Sequence, residues 1–134
     1  MPTDWSPFAP LGPVSLDPVA FASSFVTQHA ADCKALHKPI IVSEYGSSAG
    51  TVNPLTGFTR AAFYAAVHRS IEAGIVAGLP IAGDAFWLWY PAATRSQTSS
   101  DTMAVYDDQP VMQQIAAHAA TLRSMADMRK GTMC

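Results

Sequence analysis

Glu44 is the residue in this chain whose setting most demands a chemical explanation. The sequence holds two glutamates, Glu44 and Glu72, against eight aspartates. Glu44 follows the apolar run Ile40-Ile41-Val42 and then Ser43, a place where an ionised carboxylate is costly unless something uses or pairs it. Two readings stand: a carboxylate that acts on a substrate, or one satisfied by backbone amides or an arginine at a strand end. Glu72, between Arg69 and Gly74 in a helical stretch, reads as part of a solvated helix face. The second cluster is aromatic. Trp87, Trp89 and Tyr90 close another apolar run, and an indole can cover the apolar C–H face of a sugar with a large rigid surface. Ordinary core packing is the competing reading. Alternation puts Trp87 and Trp89 on one side and Phe86, Leu88 and Tyr90 on the other. Trp5 either lines a distal part of the same site or packs under its own prolines.

Other chemistries find less support. His29, His37, His68 and His118 form no His-x-x-x-His pair, and Cys33 and Cys134 form no Cys-x-x-Cys pair, so no zinc site is expected. Ser47-Ser48 after Gly46 is not a nucleophile elbow, and no glycine-rich phosphate loop is present. Asp84, inside a strand, reads as a structural hydrogen-bonding group, while Asp101, Asp107 and Asp108 lie in a loop. Tyr45 is expected to pack outward against helices.

The elements that must position these residues follow from patterning. Residues 1–16, rich in proline and aromatics, read as an irregular loop. Asp17-Pro18 supplies a cap and a first-turn proline. A helix then runs to about Leu36, with Phe21, Phe25, His29, Cys33 and Leu36 close to one stripe and Cys33 buried on it. Ile40 to Val42, unalternating and β-branched, fits a parallel strand buried on both faces. A second helix runs from about Phe58 to Ala77, with Phe63, Val67, Ile71 and Ile75 inward. A second buried strand spans 81–90. A third helix, about Pro110 to Arg129, turns Val111, Ile115, Ala119, Leu122 and Met125 inward.

Strands separated by a helix of this length are parallel, joined by a right-handed crossover. Two such strands leave faces and edges uncovered. A closed barrel of eight βα units needs about 250 residues and carries its functional side chains at the C-terminal strand ends. Glu44 and the tryptophans stand at those ends, and the loops 47–57 and 91–108 follow them.

Composition narrows the rest. The chain has 134 residues, 49% of them hydrophobic and 13% charged, with a net charge of −2. That is enough apolar material for a core. The eight Lys and Arg are scattered, which disfavours a nucleic-acid partner. No apolar run approaches the roughly 20 residues that span a bilayer. Two distant cysteines make neither a disulfide framework nor a metal pair, and no signal-peptide pattern opens the chain.

Lys38-Pro39-Ile40-Ile41-Val42-Ser43-Glu44-Tyr45-Gly46 resembles the seventh-strand signature of glycoside hydrolase family 5, in which the glutamate is the catalytic nucleophile. Phe25 to Leu36 is similar to the sixth helix of that family's endo-β-1,4-mannanases. Ala82-Gly83-Asp84-Ala85-Phe86-Trp87-Leu88-Trp89 resembles its eighth strand, whose tryptophan floors the subsite where the bond is cut. Asp101 to Tyr106 is similar to the loop before the last helix, with the tyrosine displaced. Pro2-Thr3-Asp4-Trp5 resembles the segment after the sixth strand. These elements come in the family's order and span nearly the whole chain.

The resemblance implies an α/β fold, the C-terminal part of a (β/α)8 TIM barrel comprising helix 6, strand 7, helix 7, strand 8 and helix 8. It makes residues 1–134 a single partial catalytic domain with 1–16 as a barrel-mouth loop. It implies retaining endo-hydrolysis of β-1,4-mannan without metal or other cofactor, with Glu44 as nucleophile and Trp87, Trp89 and Trp5 along the substrate. It also implies an extracellular setting. Departures accompany it. Met1 stands where the family's sixth-strand tyrosine would be, and no Asn-Glu dipeptide supplies the acid/base. His37 replaces the glycine usual before Lys-Pro, and Ser43 a common Thr or Glu. Retaining glycosidases need two carboxyls about 5–5.5 Å apart, so half of that site is expected to be missing. The alternatives are a sugar-binding or partner-dependent half-barrel, self-associating through exposed strand edges, and a β-1,4-glucanase of the same family.

Overall fold

The computed structural model describes residues 18–49, 59–90, 93–94 and 102–131. The expected loop at 1–16, Trp5, the Asp17 cap, Asp101 and Cys134 lie outside them. The order is α1 (Pro18–Ala35), β1 (Ile40–Tyr45), α2 (Arg60–Val76), β2 (Ile81–Phe86) and α3 (Gln109–Gly131). The two strands are parallel neighbours in one sheet.

The same joint leads into both strands. After α1, His37 takes a left-handed φ of 53°, its N–H bonds Lys34 O, and the Lys38 N–H bonds Cys33 O at 2.9 Å. After α2, Gly78 takes a φ of 74°, its N–H bonds Ile75 O, and the Leu79 N–H bonds Gly74 O at 2.9 Å. Both are Schellman closures, each followed by proline (Pro39, Pro80) and an isoleucine that opens the strand. Glycine costs nothing at the left-handed position, whereas His37 does. At the other ends, Thr59 caps α2 by accepting from the Ala62 N–H, and Asp108 caps α3 by accepting from the Val111 N–H at 3.1 Å, as short polar side chains do.

α2 packs between α1 and α3, and this helical layer covers one face of the sheet. Its core joins Ala22, Val26 and Ala30 of α1 to Val42 and Tyr45 of β1, to Tyr64, Val67 and Ile71 of α2, and to Val105 and Val111. Two expectations are corrected here. The buried stripe of α1 is 22-26-30, one residue on from the predicted 21-25-29. Phe21 and Phe25 are 44% and 43% exposed, and Leu36 is exposed as well. Small residues let α1 approach α2 closely enough for Ser70 Oγ to bond Ser23 Oγ at 3.0 Å; the phenylalanines would hold the helices apart. Cys33 is only half-buried. The strands, expected to be buried on both faces, are covered on one among the described residues, with Ile41 64% exposed.

The second strand also ends sooner than predicted, at Phe86 rather than Tyr90. Exposure nevertheless alternates onward to Tyr90, with Trp87 and Trp89 outward. The Trp87–Leu88 peptide is cis.

Candidate active site

β1 ends in a bulge, and Glu44 is the bulged residue. Ser43 pairs with Ala85 and Tyr45 with Phe86, leaving Glu44 without a ladder partner. Its φ is 60°, a left-handed backbone that non-glycine residues adopt rarely and at a cost. A bulge re-aims a side chain: Ser43 and Glu44 are both exposed while Tyr45 returns to the core. Trp87 follows Phe86 directly, so the Tyr45–Phe86 pair separates Glu44 from Trp87 on adjoining strand ends.

Backbone contacts lock these ends together. The Trp87 N–H donates to Tyr45 O at 2.8 Å, and the Tyr64 hydroxyl donates to Trp87 O at 3.1 Å. Gly46 passes so close that a Cβ there would lie 2.2 Å from the Trp87 carbonyl oxygen. Behind them the segment 102–108 is tied down: the Val105 N–H bonds Leu88 O at 3.2 Å. Buried Arg60 donates to the carbonyls of Met103 and Ala104 and lies 3.6 Å from Asp108. Asp108 is thereby occupied with α2 and α3. Trp87 and Trp89 remain 45% and 43% exposed.

Beneath the strand ends lies a hydrogen-bonded chain that sequence spacing did not disclose. The Tyr45 hydroxyl donates to Asp84 Oδ2 at 2.5 Å. With that proton committed, the 2.9 Å contact to His68 Nε2 requires His68 to donate from Nε2, and burial, with the charge on His118, favours the neutral ring. His68 Nδ1 is buried with no partner. On the other side, His118 Nε2 lies 3.2 Å from Asp84 Oδ1 and Nδ1 lies 2.7 Å from Glu72 Oε1. Both neighbours are carboxylates, so both nitrogens donate and the ring is an imidazolium. The two imidazoles stack with centroids 4.1 Å apart. Tyr45 packs against α2 as expected, and Asp84 is the structural hydrogen-bonding group that its position suggested. Glu72 is not a solvated helix face: it is paired with His118 across the α2–α3 contact. One signal was available in the sequence, since His68 and Glu72 stand at i, i+4 on α2 and share a helix face.

The electrostatics follow the contacts. Burial, and then the charge on His118, lower the His68 pKa to about 4. Burial works against the charge on His118, but hydrogen bonds to Asp84 and Glu72 outweigh it and raise the pKa. Burial would raise Asp84; its bonds from His118 and Tyr45 prevail and lower it. Tyr45 is pushed far above the ordinary phenol range, by burial first and then by Asp84. His68, Asp84 and His118 each bring a donor atom within 4.8 Å of the others. A divalent ion would need bonds of about 2.0–2.2 Å to such atoms; here Asp84 and His118 are joined by a hydrogen bond and His68 Nε2 meets Tyr45, while His68 Nδ1 has no partner.

A stability optimum near pH 6.5 is expected. His68 has a lowered pKa, so its contribution is present above 6.5 and is lost as pH falls toward 4. His118 has a raised pKa, so its contribution is present below 6.5 and is lost as pH rises through its folded value. Each unmatched proton gives a slope of at most about 1.4 kcal/mol per pH unit. Thermal unfolding from pH 4.5 to 8.5 checks this; a flat profile would mean that the two rings are not titrating as a buried pair.

No family profile matches the chain. Over 89 residues it is 28% identical to mannan endo-1,4-β-mannosidase A of Podospora anserina, covering 66% of this chain and 21% of that protein. Its fold is similar to that of the endo-β-1,4-mannanase from Thermotoga petrophila, with a TM-score of 0.59 and 19% identity over 78% of this chain and 23% of that one. The chain thus spans between a fifth and a quarter of the length of either. The parallel α/β arrangement and these likenesses are glycoside-hydrolase-like. Within that class the chain is mannanase-like. No helix among the described residues is long and apolar enough to cross a membrane.

Proposed function

We propose that this chain forms the C-terminal part of a (β/α)8 catalytic domain that cleaves β-1,4-mannan internally with retention of configuration. Exposed Glu44, held in a bulge beside Trp87 at the C-terminal end of parallel strands, carries the reading. Ionised Glu44 attacks the anomeric carbon while an acid protonates the departing glycosidic oxygen, giving a glycosyl ester. The same partner, now a base, draws a proton from water, which releases the sugar with its original configuration. Trp87 supports the ring at the cleaved bond, and Trp89 and Trp5 extend the platform. This chemistry uses no metal or organic cofactor, and the likeness to mannanases favours an extracellular setting.

The acid/base is assigned to polypeptide outside these residues: Glu72 and Asp84 are engaged by His118 and Asp108 by Arg60, and no observation selects exposed Asp107 for the role. An apolar groove of about 350 Å³ between α1, the end of β1 and α2, lined by Phe21, Phe25, Val42, Glu44 and Phe63, supports the same conclusion, since β1 has β2 as its one strand neighbour among the described residues. The other edge is where a further strand and helix pack, in this chain's own barrel or from a second polypeptide.

The full-length protein from its source should release reducing ends from mannan, with the new anomeric centre initially β by NMR. Cleavage of cellulose instead of mannan would transfer the reading to β-1,4-glucan. Initial α-product, or no cleavage of either polymer, would overturn it.

A further inference from the structure

Both neighbours of Glu44 are anchored from the side it does not face. Ser43 is paired with Ala85 and Tyr45 with Phe86 across the ladder. The Tyr45 carbonyl takes the Trp87 N–H, and its hydroxyl is held by His68 and Asp84. Asp84 is held in turn by His118, whose second nitrogen is held by Glu72. A continuous set of hydrogen bonds therefore runs from the α2–α3 contact to the strand end that presents the candidate nucleophile.

We propose that His118 is a positioning residue for Glu44: clamped between Asp84 of β2 and Glu72 of α2, it fixes Asp84 as the acceptor for Tyr45 and so sets the backbone carrying Glu44 and Trp87. The inference rests on the reading of Glu44 and Trp87 as the active site. The groups that face His118 are Glu72 and His68 from α2 and Asp84 from β2, with Tyr45 of β1 one bond further. Two carboxylates against one neutral imidazole keep the proton on His118. When that proton leaves, the ring has a single N–H for two acceptors, and one contact becomes acceptor against acceptor. Asp84 is then free to turn from Tyr45, and the strand end loosens. His118 is 5% exposed, so water does not replace the lost bond.

NMR on the full chain tests this directly. The ring nitrogens of His118 report its titration, and the Trp87 amide, bonded to Tyr45 O, reports the strand end. Protection of that amide should fall at least about tenfold as His118 deprotonates, while Ala30 in α1 stays protected. In Glu72→Gln, which retains an acceptor oxygen, both events should move together to lower pH by about one unit. Constant Trp87 protection across the titration overturns the proposal, as does a loss that stays at the same pH in Glu72→Gln. The unmodified chain carries the first arm, so a variant that folds poorly does not shield the idea. Mannan hydrolysis surviving in Glu44→Gln would sink the reading of Glu44 separately, without altering what the Trp87 amide says of the network.

Discussion

Glu44→Gln in the full-length protein should lower mannan hydrolysis by at least about 10³-fold, the scale on which removal of a nucleophile is felt. The midpoint of thermal unfolding should stay where it was. The two side chains have nearly the same shape, so binding is preserved, but a carboxamide cannot form the glycosyl ester that the retaining route requires. Stability should hold because Glu44 is exposed, and a surface exchange of this kind is usually worth within about 0.5 kcal/mol. The left-handed backbone at this position burdens both residues alike. Initial rates and calorimetry on the same preparations check it. Loss of activity together with loss of cooperative unfolding would make Glu44 the strand-end structural carboxylate that its sequence setting also allowed.

Gly46→Ala should have the largest effect on stability, about 3 kcal/mol, at the upper end of what overpacking costs. At this chain length that is a fall of roughly 10 °C in the midpoint. The added methyl would lie 2.2 Å from the Trp87 carbonyl oxygen and 2.9 Å from Met103 Cε. Met103 can yield, being the flexible end of a side chain. Trp87 cannot yield cheaply, since its carbonyl is held by Tyr64 and its N–H by Tyr45. Relief therefore comes by parting the two strand ends, and circular dichroism with tryptophan fluorescence should show both earlier unfolding and a changed indole environment. A midpoint within a degree or two of the parent would mean that the strand ends do not approach this closely.

The order of helices and strands was legible because its signals are local. Pro39 and Pro80 mark where each strand can begin, and apolar spacing of four marks α2. The seat of Glu44 was legible too, since a carboxylate after Ile40-Ile41-Val42 has few reasons to be there. What stayed hidden depends on partners. The inward face of α1 is chosen by how closely α2 can approach, which favours Ala22, Val26 and Ala30 over the more apolar Phe21 and Phe25. The His118 clamp joins residues from α2, β2 and α3 that no motif spacing links. The bulge at Glu44 belongs to the register between strands, which neither strand encodes alone. That His37 occupies a glycine-like position was visible as a departure from a pattern, but its meaning as the left-handed residue of a helix closure was not.

The Gly46 approach has a further meaning for how such a site evolves or is engineered. With Trp87 bonded to Tyr45 on one side and pressed against Gly46 on the other, the carboxylate and the indole are borne by one stiff block. Neither can be brought nearer or moved away without carrying the other, so under the proposed function adaptation to a wider or branched polymer would have to come from residues outside this block.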